Sequence, residues 1–230
     1  AYQLVFQDNR IWTGYRNTML MVGVGTAVTL LMIILTAYPL SKRELPHRRF
    51  FTVFIIITMF FRGGLIPEYL LIRNLGLMNS FFALIFPRLI DTFAVIVMRN
   101  YFMSLPDSLE ESARIDGASY WTALFRIIVP MSGPIIATVT LWTAVWHWNE
   151  WFHAMIYIYD QNKVVLQIVL RSIIVDGTEQ IMAVEEESQI TSPDVVKAAA
   201  IMFTTLPILC VYPFLQRYFV KGIIVGAVKG

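Results

Sequence analysis

Apolar residues along this chain come in long uninterrupted runs, with the polar residues gathered between them. A helix needs about 20 mostly apolar residues to cross a bilayer. Five stretches approach or pass that length: 17–40, 50–66, 81–105, 127–148 and 195–220. The first is uncharged, and Gly23, Gly25, Thr26, Ala27 and Thr29 crowd its first half, a pattern that favours close helix packing. The second breaks at Arg62-Gly63-Gly64 and Pro67, which predicts a helix ending near 61–66 and a short surface helix after it. The third is interrupted by Pro87, Arg88 and Asp91. Three residues apart, Arg88 and Asp91 fit on one helix side, either as a structural pair or on a translocation path, because charge inside a span turns from lipid toward protein or water. Pro130 and Pro134 sit near the start of the fourth run, and Pro207 and Pro213 break the last. Residues 160–194 form the largest polar region, with Glu185, Glu186 and Glu187 in a row. The pattern predicts an all-α, polytopic membrane protein with five transmembrane helices in one domain over 1–230.

Composition agrees with this reading. Hydrophobic residues make up 57% and charged residues 15% of 230 positions, with a mean hydropathy of +0.62. A soluble domain has about 25% charge. A net charge of +2 argues against nucleic acid as a partner. Cys210 is the one cysteine and has no internal disulfide partner. The basic residues set the orientation. Lys42, Arg43, Arg48, Arg49, Arg99, Arg114, Arg126, Arg217, Lys221 and Lys229 fall on one side, which is expected to be cytoplasmic. Residues 1–16 and the 160–194 loop are expected outside. An external start without a signal peptide leads to the expectation of a sixth, N-terminal span before residue 1.

The stretch from Leu105 to Pro134 differs from the rest. Asp107 and Ser108 follow Pro106, and Glu110 and Glu111 lie three residues after each, the pattern of a capping box. A short helix is predicted to run to Ile115 and stop at Asp116-Gly117, since glycine accepts the left-handed conformation that ends helices. Ser119 is placed to cap a second helix. Glu111-Ser112-Ala113, Asp116-Gly117-Ala118, Phe125, Ile128, Pro130 and Pro134 together resemble the EAA loop of importer-type ABC transporter permeases, with Ser112 where the family usually has alanine. The resemblance runs from about Asn17 to the C-terminus.

That resemblance implies a type I ABC importer permease fold in a bacterial cytoplasmic (inner) membrane. It implies that 106–126 is a cytoplasmic coupling loop and that Glu110, Glu111, Ser112, Ala113, Asp116, Gly117 and Ala118 dock on an ATPase subunit. It also implies a second related permease subunit, two ATPase subunits and an external solute-binding protein. No Gly-Lys-Ser/Thr phosphate loop, HExxH or Cys–His ligand set is present. The chain is therefore expected to hold no cofactor or metal of its own, with ATP and magnesium on the partner ATPase subunits.

The substrate reading rests on aromatic residues. Trp142 and Trp146 are four apart, on one helix face, and are read either as core packing or as a surface for a sugar ring. Trp148 and Trp151 read as interface anchors. Trp148-Asn149-Glu150-Trp151 resembles a segment of the carbohydrate-uptake branch, as do the tail residues 216–222 and 226–230. The resemblance implies an oligosaccharide cargo, with Trp142, Trp146, Asn149, Arg88 and Asp91 as substrate-path residues. The competing readings are an intramembrane enzyme or ion channel using Arg88, Asp91 and Glu150, or a purely structural membrane subunit.

Overall fold

A computed structural model describes residues 6–61, 63–175 and 194–210, and all regular structure among them is helical. The first helix, α1 (Asn9–Ser41), has 33 residues and is about 50 Å long at 1.5 Å per residue. It begins eight residues before the expected span. Pro39 falls in its last turn, where it has no N–H to give the Leu35 carbonyl and the helix ends two residues later.

Helix α2 (Arg48–Phe60) follows, and none of its residues is buried. It ends at Phe61, before the glycine pair, and α3 (Leu65–Asn74) starts beyond it. This is the break expected at 61–66. The run 81–105 is less continuous than its hydropathy suggests. Helix α4 (Phe82–Ile85) passes into a 3-10 turn at Phe86–Arg88, and α5 (Thr92–Ser104) begins afresh. Asp91 is the N-cap of α5, its Oδ1 accepting from the Ala94 amide at 2.8 Å. Arg88 and Asp91 thus flank a helix break and do not share one helix side.

Next come α6 (Asp107–Ile115) and α7 (Tyr120–Met131), the latter with a π-helical turn at Leu124–Ile128. Helix α8 (Gly133–Trp148) departs from α7 at 84°. The bend sits at Ser132, which lies between the two prolines. Short α9 (Phe152–Tyr157) precedes α10 (Leu166–Val175), and residues 194–210 form α11. Helix α10 is apolar and lies inside the 160–194 stretch expected to be a polar loop. The ten-residue run was too short to register as a span. The acidic triplet 185–187 and the tail beyond 210 lie outside the described residues.

Among the described residues, α1 alone is long and apolar enough to cross a membrane unbroken. The pairs α2 with α3 and α7 with α8 bring the number to three if each bent pair is one span. The five-span expectation differs because Pro87 and the Asp91 cap divide the third run, and the fifth run is only partly described.

Two compact units divide the chain. In one (6–25, 69–87, 144–175 and 194–210) Ile11, Trp148, Leu166, Val169, Val196, Ala199 and Ala200 form the core. Trp148 is therefore a core residue, packed edge-on against Tyr15, where an interface anchor was expected. Polar residues of α1 fix the entry to α10. Asn17 Nδ2 donates to the Asn162 and Val164 carbonyls at 2.8 and 2.9 Å, and Thr18 Oγ1 accepts from the Leu166 amide at 2.9 Å. Gly25 lies so close to His147 that a Cβ there would stand 2.8 Å from its Nε2.

The second unit (26–61, 63–68 and 88–143) is built on Ile33, Ile34, Ala37 and Tyr38 of α1, Val95, Met98 and Phe102 of α5, and Leu124, Ile128 and Val139 of α7 and α8. Helices α2 and α5 pack together, with the Thr58 and Thr92 hydroxyls 3.1 Å apart.

Candidate functional site

The second unit presents α6 and the turn after it at its surface. Leu105 precedes Pro106 and is extended (φ −72°, ψ 145°), as the proline ring requires, and this ends α5. Pro106 itself is the N-cap of α6, with no side-chain hydrogen bond to the helix start. The capping box expected from Asp107, Ser108, Glu110 and Glu111 is therefore absent. Asp107 and Glu110 in the first turn still favour the positive end of the helix.

The end of α6 follows the expectation. Gly117 has φ +82°, its amide bonds to the Arg114 carbonyl at 3.0 Å, and the Ala118 amide bonds to the Ala113 carbonyl at 2.9 Å. These two bonds are the Schellman pattern. Ser119 then caps α7, its Oγ accepting from the Thr122 amide at 3.2 Å.

The helix has two faces. Asp107, Ser108, Glu111, Ser112 and Ile115 point outward, and Ile115 is 86% exposed. Glu110 points inward, 7% exposed. Its Oε1 accepts from the Tyr38 hydroxyl at 2.8 Å, and its Oε2 is ion-paired with Lys42. Lys42 also lies over the Tyr38 ring, 4.7 Å from its centroid. Burial pushes the Lys42 ammonium below its usual value, while Asp107 and Glu44 pull it back up and Arg114 adds to the push. A carboxylate so enclosed needs this pairing, since an isolated buried charge is costly.

Two further contacts bind the same elements. Arg99 Nε donates to the Leu40 carbonyl at the end of α1 at 2.9 Å. Arg114 pairs with Glu44 at 3.3 Å and lies over the Tyr120 ring. A cavity of about 160 Å³ opens between the 41–44 loop and α6, lined by Lys42, Arg43, Asp107, Glu111 and Arg114 among others.

Of the remaining expected site residues, Ala113 and Ala118 are half-buried, and Asp116 and Gly117 are exposed. Trp142 is 39% exposed and tilts against Phe93 at 5.7 Å. Trp146 is half-buried and Asn149 exposed, the Asn149 amide donating to the Val145 carbonyl at 2.8 Å. Glu150 is buried, and its Oε1 accepts from the His153 amide at 3.0 Å. Asp91 and Glu150, invoked for the enzyme or channel reading, thus both bond backbone N–H groups at helix starts. Tyr38 and Lys42 were not expected at the site. They are 72 and 68 residues from Glu110, and no local spacing points to them.

A family model described as binding-protein-dependent transport system inner membrane component matches residues 24–225. The chain belongs to this family. Like its relatives it is a permease subunit of the inner membrane and not a catalyst. It is 42% identical to protein LplC of Bacillus subtilis (strain 168), over the whole of this chain and 78% of that one. It is 38% identical to the polygalacturonan/rhamnogalacturonan transport system permease protein YtcP of the same organism, over the whole of this chain and 81% of that one. A solved structure of a bacterial ABC transporter involved in the import of the acidic polysaccharide alginate contains a chain with 37% identity and a TM-score of 0.88, covering 95% of this chain and 78% of that chain. The chain, helical in all the regular structure of its described residues, therefore has the type I ABC importer permease fold.

Proposed function

We propose that this permease subunit moves an oligosaccharide into the cell, driven by ATP that separate ATPase subunits hydrolyse. The observation that carries the coupling half is the two-faced helix α6. Its inward face is anchored by Glu110, and Asp107, Glu111, Ser112 and Ile115 are left outward. A rigid helix with defined ends and an unpartnered outward face is what a docking element requires. The loop 106–120 is the docking element, with Glu111, Ser112, Ala113, Asp116, Gly117 and Ala118 at or beside the contact. ATP and magnesium belong to the ATPase subunits, and a second permease chain and an external binding protein complete the assembly.

The cargo half is supported by relatives named for polygalacturonan/rhamnogalacturonan and by the alginate importer. Trp142, tilted on Phe93, offers an exposed aromatic surface of the kind on which an apolar sugar face packs. Trp146 and Asn149 lie further along the same chain segment.

The test is ATP hydrolysis by the reconstituted assembly, presented with binding protein loaded in turn with neutral oligosaccharides, uronate oligosaccharides, peptides or amino acids. Stimulation by a saccharide is expected. Stimulation by a peptide or amino acid alone would remove the carbohydrate assignment and leave the importer.

A further inference from the structure

Helix α6 is joined by the chain to α5 before it and α7 after it, yet its best-buried polar contact goes to neither. Glu110 reaches across to the end of α1, where Tyr38 in its last turn and Lys42 just beyond it receive it. Tyr38 is itself a core residue of the unit, 6% exposed, packed edge-on against Phe102 of α5. The α1 end is held a second time by Arg99, through the Leu40 carbonyl.

We infer that Glu110 is a positioning residue that locks the docking helix to the end of α1, so that displacement of α6 is passed directly to that long helix. This deepens the proposed coupling role of the 106–120 loop and rests on it. The physical reason is the stiffness of the contact. The buried Glu110 carboxylate loses both its partners, the phenol and the ammonium, if α6 shifts alone, and leaving the members of such a set unsatisfied is costly. The exposed Arg114–Glu44 pair at 3.3 Å supplies no comparable hold. A two-part body that moves as one is a sufficient means of passing motion through packed structure. Because Arg99 of α5 holds the Leu40 carbonyl and Phe102 of α5 packs on Tyr38, the end of α1 that receives Glu110 is itself tied to α5.

The experiment uses the complete assembly in proteoliposomes, with Cys210→Ser as background. Glu110→Gln keeps the shape and removes the ion pair, and is expected to lower substrate-stimulated ATP hydrolysis and transport about five-fold or more, with the ATPase subunits still copurifying. Lys42→Glu combined with Glu110→Lys restores the pair with reversed sign, and at least half the lost coupling should return. Lys42→Cys with Glu110→Cys is then joined by a short bifunctional methanethiosulfonate. The linked form is expected to regain transport that the unlinked form lost, and to lose it again on reduction. A fully active Glu110→Gln assembly, or arrest of transport by the link, would overturn the lock. Gly117→Trp in parallel separates the two ideas, because unaltered retention of ATPase subunits and unaltered hydrolysis there would remove the docking role itself.

Discussion

His147 lies edge-on above Gly25, with Nε2, Cε1 and Cδ2 all within 3.1 Å of where a Cβ would stand. The helix pair can come this close only because position 25 has no side chain, and His147 is 1% exposed with little room to yield. Gly25→Ala is expected to destabilise the protein despite the better helix propensity of alanine. Overpacking costs about 1–3 kcal/mol, against a propensity gain of about 1 kcal/mol. Gly25→Val should be worse, and Gly23→Ala, with nothing within 4 Å, should be neutral or stabilising. Thermal unfolding of the three purified variants gives the order.

Gly117 poses a different constraint. Nothing lies within 4 Å of its Cβ position, but φ is +82°. Any non-glycine side chain is strained there, by about 1–2 kcal/mol. Gly117→Asn should be the mildest change and Gly117→Val severe, read as loss of α6 protection in hydrogen exchange. Gly117→Trp should in addition depress transport and substrate-stimulated ATP hydrolysis while the protein still inserts.

Asn79 has φ +59°, and its side chain works as well as its backbone. Its Oδ1 accepts from the Asp160 amide at 3.1 Å, its amide donates to the Tyr157 carbonyl at 2.7 Å, and its carbonyl accepts from Lys163 Nζ at 2.9 Å. Asn79→Ala loses the side-chain acceptor and strains the backbone. Asn79→Gly loses the acceptor alone. The alanine variant is expected to be the less stable by about 1 kcal/mol, as measured by the midpoint of heat unfolding.

Orientation is tested by labelling. Ser108 and Gln161 are both exposed, the first in the loop expected to be cytoplasmic and the second in the one expected outside. With Cys210 replaced, Gln161→Cys should react with an impermeant maleimide in intact cells and Ser108→Cys only after lysis. The opposite pattern would invert the topology.

These positions also mark what the sequence could convey. The helix stop at Gly117 and the Ser119 cap were legible because their determinants lie within a few residues of one another. So was the break after Phe61, which follows from adjacent glycines. The inward turn of Glu110 was not, because its partners are brought by α1 from far upstream, and a glutamate three residues after Asp107 looks the same whether it caps a helix or fills a pocket. Hydropathy marked 81–105 as one apolar run but could not weigh Pro87 and the Asp91 cap against helix continuity. Helix α10 is not legible as a span because its apolar residues are few and are interrupted by Gln167, Arg171 and Ser172. Trp148 looked like an interface anchor because its distance from Tyr15 is not a property of local sequence.

The stop at the end of α6 is closed by main-chain bonds alone, from Gly117 to Arg114 and from Ala118 to Ala113. The positions that define the helix are Pro106, Glu110, Gly117 and Ala118, and the side chains that face outward are those of Asp107, Ser108, Glu111, Ser112 and Ile115. The two sets share no member. On the proposed docking role, inheritance can therefore revise the outer set to suit a different ATPase while the main-chain stop stays as it is, and an engineer can transplant those side chains between permeases as an interchangeable address.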